Sequence, residues 1–307
     1  MITIVVNPIA GGAGPAAARA RVELARSIAR ETPEAEVVVT GRRGHATELA
    51  RDAVARGAGL VIAWGGDGTV NEVGAALIGS GAALGIVPDG SGNGLARELG
   101  APRDARRAVA RAAAAAPRAI DAGECGGRVF FSVAGIGFDA HVAACFDRAA
   151  AGSRGLSSYV RITAREMIGY RCGGYRIAAS RALAPPADAS AGEAPDFARQ
   201  VPRALVVTFA NSAQFGNGAR IAPGAVLDDG LLDMVVFEER SRLATMLALP
   251  RLFTGGVRRL RGVSTERIAR ATVESDAAMT FHVDGEPVPN GLCLEVRVLP
   301  GALRVAV

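Results

Sequence analysis

A strand–glycine turn–helix unit recurs four times before residue 100, and this repetition restricts the fold more than any other feature of the chain. Residues 2–6 are a short β-branched run, followed by NPIAGGAG and a helical stretch from Pro15 to about Arg30. Residues 36–40 lead through GRRG into a helix over about 46–56. Residues 60–64 lead through GGDG into a helix from Val70, and residues 83–87 through PDGSGNG into one from about Leu95. Strands alternating with helices through short turns predict a parallel, doubly wound sheet. Such sheets take ligands beyond the carboxyl ends of their strands, and all four glycine turns belong at that edge.

The texture changes after the Ala/Arg-rich stretch 103–118. From Ile120 onward VFFSVAG, YRIAAS, ALVVTFAN, LLDMVVF, MTFHVDGE, LCLEVRVL and LRVAV read as strands separated by turns. Helical interruptions are predicted near 154–170 and 241–261, and the Pro/Ala-rich stretch 182–202 reads as a mobile loop between two strands. The fold class is therefore α/β, with a doubly wound, mostly parallel N-terminal domain over residues 1–122 and a β-rich, sandwich-like domain over 123–299.

The turns suggest chemistry. Gly65, Gly66 and Gly68 let backbone N–H groups approach a ligand with no Cβ in the way. Thr69 and Glu72 have capping-box spacing, which predicts a helix whose positive end faces the turn and binds an anion. Asp67 would repel a bare phosphate, but it fits a phosphate bound through a divalent cation. Ser91 and Asn93, among Gly90, Gly92 and Gly94, either cap the next helix or bind phosphate. Gly12, Gly14 and Ala17 make a weak dinucleotide fingerprint, with Glu36 at a plausible distance.

Composition removes several classes. The chain has 307 residues and is 50% hydrophobic, enough for two cores. It contains no lysine, so all 35 basic side chains are arginine; a Walker-type phosphate loop and a Schiff-base enzyme are both excluded. A net charge of +5 permits anionic partners, and aromatics at 5% argue against nucleic acid. Cys125, Cys145, Cys172 and Cys293 are scattered without metal spacing and read as reduced thiols of a cytoplasmic protein. His45, His141 and His282 read as satisfied structural residues. The opening MITIVVNP reads as a strand and not a signal peptide, and no apolar stretch approaches the ~20 residues of a membrane span.

Several of these segments together carry a resemblance. Asn7-Pro8 with its glycine turn, the run 65–72 (GGDGTVNE), and Gly90-Ser91-Gly92-Asn93 resemble the diacylglycerol kinase catalytic family, which includes bacterial lipid kinases and sphingosine kinases and is related to NAD kinases. Asn211, the FGNG glycines, Pro223 and the run 227–231 (LDDGL) resemble its second-domain signature, and Asp284-Gly285-Glu286 its late acidic motif. The resemblance implies ATP bound in the cleft between the two domains, with the last strand, near 300–307, returning to the first. Asn7, Thr40, Gly65, Gly66, Asp67, Gly68, Thr69, Val70, Asn71, Ser91 and Asn93 match nucleotide-binding positions. A magnesium-associated loop maps onto Val226, Asp229 and Leu231, and Glu286 onto the proton acceptor, with Asp284 as the alternative base and Asp67 as a magnesium relay. Gly94 stands where the family usually has Asp, and Ser91 where Thr is commoner; the GSGN form is closer to the sphingosine kinase side.

The expected activity is transfer of the γ-phosphoryl of ATP, with Mg2+, to a hydroxyl of a diacylglycerol-like or sphingoid-like lipid at an anionic membrane surface. Rivals are a soluble-substrate kinase such as an NAD kinase, a non-catalytic nucleotide-binding regulator, and a Rossmann oxidoreductase. An apolar cleft in the second domain would favour lipid and a polar closed pocket the soluble rival. The segment 242–262 (RLATMLALPRLFTGGVRRLRG) combines apolar bulk with Arg251, Arg258, Arg259 and Arg261, and is expected to dock on lipid headgroups. The oligomeric state stays open, a homodimer included.

Overall fold

The computed structural model describes residues 1–148, 156–182, 195–216, 218–248 and 250–307. The first part alternates as the repeat predicts: β1 (Ile2–Val6), α1 (Pro15–Glu31), β2 (Ala35–Val39), α2 (His45–Ala55), β3 (Leu60–Gly65), α3 (Asp67–Leu77), β4 (Ala83–Pro88), α4 (Gly94–Glu98) and α5 (Ala105–Ala114). The strands stand in the order β2–β1–β3–β4, all parallel. Helices cover both faces, which explains why β3 is apolar and buried along its whole length. Its alternate residues serve different layers: Leu60, Ile62 and Trp64 pack with α1 and α5, while Val61 and Ala63 pack with α2 and α3. Because the strands are parallel, the four glycine turns gather at one edge.

The second part contains β5 (Arg118–Cys125), β6 (Arg128–Phe130), β7 (Val133–Gly137), α6 (Phe138–Arg148), α7 (Leu156–Gly169), β8 (Gly173–Ser180), β9 (Phe197–Ala210), β10 (Gln214–Gly216), β11 (Ala219–Arg220), β12 (Leu232–Glu238), α8 (Arg242–Ala248), α9 (Pro250–Thr254), β13 (Val263–Ile268), β14 (Arg270–Glu274), β15 (Thr280–Val283), β16 (Glu286–Pro289) and β17 (Cys293–Val305). Antiparallel pairing joins β16, β15, β7, β9, β8 and β14, with β12 and β13 added through β9. Their inward side chains form one large apolar core that includes Phe130, Phe209, Phe281, Ile136 and Ile177.

The runs LCLEVRVL and LRVAV form one strand, not two. β17 begins antiparallel to β14 and β5, and ends parallel to β4, with Arg304 opposite Ala83 and Val305 opposite Leu84. The change of neighbour from β14 to β4 falls around Pro300-Gly301, where the register against β5 shifts between Leu299 and Leu303. Gly301 has φ 57°, and its N–H donates to the buried Asp121 Oδ1 at 2.7 Å. Such an irregularity bends a strand and increases its twist.

One expected segment differs. Of the proposed loop 182–202, residues 183–194 lie outside the described residues, but residues from Phe197 onward belong to β9. The helical stretch expected near 241–261 consists of α8, α9 and a 3-10 turn at Gly256–Arg259. Pro250 cannot donate into a helix that continues α8, and Gly255 takes φ 72°, which ends α9.

Candidate active site

Asp67 latches two of the glycine turns together. It is the first residue of α3, whose N-cap Gly66 is extended and provides no side-chain cap. The Thr69–Glu72 capping box does not form, because the helix starts earlier than the sequence suggests. Thr69 Oγ1 instead accepts from Asn7 Nδ2 at 3.0 Å. Glu72 reaches to the neighbouring helix, accepting from Gly44 N at 2.9 Å and Ala46 N at 3.1 Å, so it caps α2. Asp67 crosses the other way. Its Oδ2 accepts from Asn93 N at 2.8 Å and its Oδ1 from Gly94 N at 2.6 Å, at the start of α4.

The contact is too tight for side chains. A Cβ on Gly92 would lie 2.6 Å from Asp67 Oδ2, and one on Gly90 would lie 2.5 Å from Gly66 Cα. Asn93 holds the turn in shape from a left-handed conformation at φ 52°. Its Oδ1 accepts from Gly90 N at 2.9 Å and its Nδ2 donates to Gly90 O at 2.7 Å. Burial pushes the Asp67 carboxyl above its ordinary range, Asp284 pushes the same way, and the Gly94 and Asn93 N–H groups work against both.

A second clamp, which sequence reasoning did not find, fixes the first turn to the fourth. Arg21 of α1 ion-pairs with Asp89 and donates to the Pro8 carbonyl and, at 3.2 Å, to Ala10 O. Trp64 Nε1 donates to the same Asp89 carboxylate at 3.2 Å. Thr40 follows β2 with its N–H on Val6 O at 2.9 Å. Gly65 and Val70 are buried beneath the turn, while Gly68 and Ser91 are exposed at its rim. His45 starts α2 and accepts from Gly41 N at 3.0 Å, a structural role. Glu36 is engaged by Thr3 Oγ1 at 2.9 Å and by Arg56, which removes the acidic partner of the dinucleotide fingerprint.

Across the site stands the turn between β15 and β16. Asp284, at φ 48°, accepts four hydrogen bonds. Its Oδ2 takes Asn71 Nδ2 at 2.8 Å and Phe131 N at 2.9 Å, and its Oδ1 takes Ser132 N at 2.8 Å and Val133 N at 3.1 Å. Asn71 also donates to Val129 O at 2.9 Å, tying α3 to the second part. Glu286 is less committed: Arg43 Nε and Arg128 Nη2 stand 3.7 and 3.6 Å from its oxygens. Arg43 lies in the GRRG turn, which therefore faces a carboxylate. Among the described residues neither Asp67 nor Asp284 has an ion-pair partner. Of the two, Asp67 keeps acceptor capacity on its oxygens and suits a divalent cation with oxygen ligands, whereas the four hydrogen bonds on Asp284 fill its acceptor sites.

The loop 226–231 is held from beneath by Asp121. Asp121 N donates to Leu227 O at 2.6 Å, and Asp121 Oδ2 accepts from Gly230 N at 2.7 Å. Val226 is exposed, Leu231 packs against the large core, and Asp229 is ion-paired with Arg267 while accepting from Leu231 N at 3.1 Å. A metal on this loop would compete with Arg267 for Asp229.

The second part carries a partly open apolar cavity of about 140 Å³ between α6, α7, β9, β12 and the segment from α8 to β13. Phe138, Val142, Met167, Phe215, Ile221 and Leu252 supply much of its wall. Asp139 is the buried acid in it, accepting from Thr208 Oγ1 at 3.3 Å and lying 3.2 Å from His282 Nε2. Gly285 N donates to His282 Nδ1 at 3.3 Å, so this pair connects the cavity to the Asp284–Glu286 turn.

Comparison with known proteins agrees with this geometry. Residues 1–125 match the diacylglycerol kinase catalytic domain, and residues 132–307 match the YegS C-terminal NAD kinase beta sandwich-like domain. The chain belongs to the diacylglycerol kinase catalytic-domain family. A "Probable lipid kinase YegS-like" protein of Pseudomonas aeruginosa is 33% identical over 299 residues, covering 95% of this chain and 90% of its own. One from Citrobacter koseri is 31% identical over 280 residues, covering 89% and 86%. The crystal structure of a diacylglycerol kinase from Bacillus anthracis superposes with a TM-score of 0.70 at 18% identity, over 99% of this chain and 96% of that one. A second structure from the same organism reaches 0.75 at 20% identity, covering 99% and 94%. These structural likenesses confirm the two-part α/β and β-rich architecture.

Proposed function

We propose that the chain is a lipid kinase that transfers the γ-phosphoryl group of ATP, with Mg2+, to a hydroxyl of a diacylglycerol-like or sphingoid-like lipid. Residues 1–122 with the closing end of β17 form the nucleotide unit in this reading, and residues 123–299 form the acceptor unit. The apolar cavity carries the choice of a lipid over a soluble acceptor. A dinucleotide or sugar would leave its polar groups unpaired against Phe138, Val142, Met167 and Leu252, whereas an acyl or sphingoid chain loses water contact at a gain of about 0.8 kcal/mol per methylene.

The nucleotide unit supplies the anion site. The first-turn N–H groups of α3 and the open space at Gly68 admit a phosphate at the helix's positive end. Magnesium, when bound, would neutralise phosphate charge, and Asp67, whose oxygens accept from Asn93 and Gly94 N–H across the turns, is the carboxylate with capacity left to hold it; Asp284, its acceptor sites filled, adds negative charge nearby. Asp284 already accepts four hydrogen bonds, so it positions its turn and is a poor proton acceptor. Each Glu286 oxygen stands only at ion-pair distance from one arginine, 3.7 Å from Arg43 and 3.6 Å from Arg128, which leaves its lone pairs available to take the proton from the acceptor hydroxyl. Arg43 and Arg128 hold that carboxylate at the mouth between the two units.

Glu286→Gln is expected to lower kcat by about 10²- to 10⁴-fold with little change in the KM for ATP. Steady-state kinetics at saturating Mg2+ checks it; a fall confined to ATP affinity would make Glu286 a nucleotide- or metal-site residue. The proposed activity itself is tested by incubating the protein with γ-labelled ATP and a total lipid extract, then identifying the labelled product. Label recovered only in an aqueous product such as a dinucleotide phosphate would overturn the lipid reading.

Access to a bilayer substrate requires a docking surface. No helix among the described residues is long and apolar enough to cross a membrane. Thr245, Ala248, Leu252, Leu260 and Arg261 line the cavity, and Met246, Leu247 and Phe253 of the same segment are exposed. This places an apolar, basic surface at the cavity's border. Arg258 is excluded from it, because it ion-pairs at 3.3 Å with the buried Asp233. Replacing Arg259 and Arg261 together by Gln should weaken co-sedimentation with phosphatidylglycerol vesicles by roughly 30-fold, at about 1 kcal/mol per arginine, and Leu247→Ser/Phe253→Ser should weaken it independently of salt. Unchanged binding in both double variants would place the docking surface elsewhere.

A further inference from the structure

A histidine, a cysteine and a glutamate meet where α6 and α7 pack together. His141 and Cys145 are four residues apart on α6, so they occupy one face a single turn apart. Glu166 comes from α7. His141 Nε2 lies 2.8 Å from Glu166 Oε2 and 3.7 Å from Cys145 Sγ, and all three ligand atoms fall within 4.8 Å of one another. Among the described residues this is the only group of three such side chains. The sequence signal, H-x-x-x-C, is short and lacks its third member, which explains why the cysteines read as scattered and His141 as merely structural.

We propose that His141, Cys145 and Glu166 form a binding site for a borderline-soft divalent metal of the zinc class, which staples α6 to α7 beside the apolar cavity. Imidazole nitrogen, thiolate sulfur and carboxylate oxygen are the zinc donor set, and a thiolate discriminates against magnesium. Around a tetrahedral zinc these donors stand roughly 3.2–3.8 Å apart. The observed 3.7 Å between sulfur and nitrogen already fits, and the 2.8 Å hydrogen bond needs only to open as the metal replaces its proton. Binding releases the Cys145 thiol proton to solvent, and His141 ligates as a neutral imidazole through Nε2 with its proton on Nδ1. The fourth position is left for water. His141 and Glu166 are half-buried, so an ion can reach the site from solution. The His141 ring is held between Phe138, stacked at 6.4 Å, and Tyr170 at 5.3 Å, which limits the rotation that ligation must freeze.

The placement gives the site a consequence. Val142 and Met167, immediately next to His141 and Glu166 in the chain, pack together in the cavity wall. A metal between the two helices therefore fixes the spacing of that wall. It binds whether or not the cavity takes a lipid.

Cobalt tests this directly, because a Co2+–thiolate bond gives a charge-transfer absorption that Co2+ bound through nitrogen and oxygen alone lacks. The full chain titrated with Co2+ should develop this band to one equivalent, and one equivalent of Zn2+, but not millimolar Mg2+, should remove it. Cys145→Ser should abolish the band, and Glu166→Gln should weaken Co2+ binding by at least about 10-fold. The variant Cys125→Ala/Cys172→Ala/Cys293→Ala should keep the band. Zn2+ should raise the Tm of the wild type and not of Cys145→Ser, which a circular dichroism spectrum matching wild type would show to be folded. No band in the wild type, or an equal band in folded Cys145→Ser, would overturn the site.

Discussion

Asp67→Asn is expected to reduce phosphoryl transfer by about 10²- to 10³-fold while leaving the protein nearly as stable as before. The residue has two roles that substitution can separate. Its oxygens accept from Asn93 and Gly94 N–H, which joins the third and fourth units of the repeat. Its charge, beside Asp284 and without an arginine, is what a cation needs. An amide keeps one acceptor oxygen and turns an NH2 group toward the other N–H, a loss of about 1–3 kcal/mol. Removing a desolvated charge offsets part of that loss. Asp67→Ala removes both acceptors, leaves the start of α4 without partners, and should lose activity and stability together. Turnover of γ-labelled ATP at saturating Mg2+, with urea unfolding of the same samples, distinguishes the roles. If Asp67→Asn keeps most of its activity, the carboxylate is a latch only and the cation is held elsewhere.

How much of this was readable in advance depends on distance along the chain. The four βα turns announce themselves because each is a local event: a β-branched run, glycines, and an amphipathic pattern within about 30 residues. Their common edge follows from parallel pairing. What the sequence hid is where the side chains at those turns go. Glu72 has the spacing to cap its own helix, yet it caps α2, because α3 begins at Asp67 and α2 packs alongside. Arg21 and Asp89 look like surface charges until β1 and β4 bring their ends within reach. Asp139 and His282, separated by 143 positions, meet only because β7 pairs with β15. The family resemblance pointed to Asp284 and Glu286 alike; their different hydrogen-bonding, visible only in the fold, is what supports the proposed division between positioning and proton transfer.

The same reasoning explains why the two units behave as one machine. α3 carries Asp67 on its first residue and Asn71 one turn later; the first reaches α4, and the second reaches Val129 O and Asp284. One helix thus sets both the phosphate turn and the acidic turn opposite it. Phosphoryl transfer depends on alignment more than on covalent chemistry, so under the proposed function this shared support is where the fold would contribute to rate.

Asp284→Ala is therefore expected to be the most disruptive single substitution in the site, destabilising the chain by on the order of 3–5 kcal/mol. Three of its four hydrogen bonds come from consecutive backbone N–H groups at Phe131, Ser132 and Val133, which bridge β6 and β7. Alanine leaves those donors unpaired in a largely buried turn and carries a further cost at φ 48°, a left-handed conformation that asparagine tolerates better. Asp284→Asn should accordingly lose less. Its oxygen can still serve Ser132 and Val133, while its NH2 group faces Phe131 N–H and the Asn71 amide, so two donors meet where one acceptor stood. Combining it with Asn71→Ala removes one of those clashes. The double variant should then be less destabilised than the sum of the two single changes, a coupling measurable by urea unfolding in a double-mutant cycle. Strict additivity would show that Asn71 and Asp284 do not share their bond in solution. Kinetics adds a second reading of the same samples. Glu286 sits two residues beyond Asp284 on a turn that these hydrogen bonds fix, so kcat should fall in every Asp284 variant, including folded ones, because the proposed proton acceptor has lost its support.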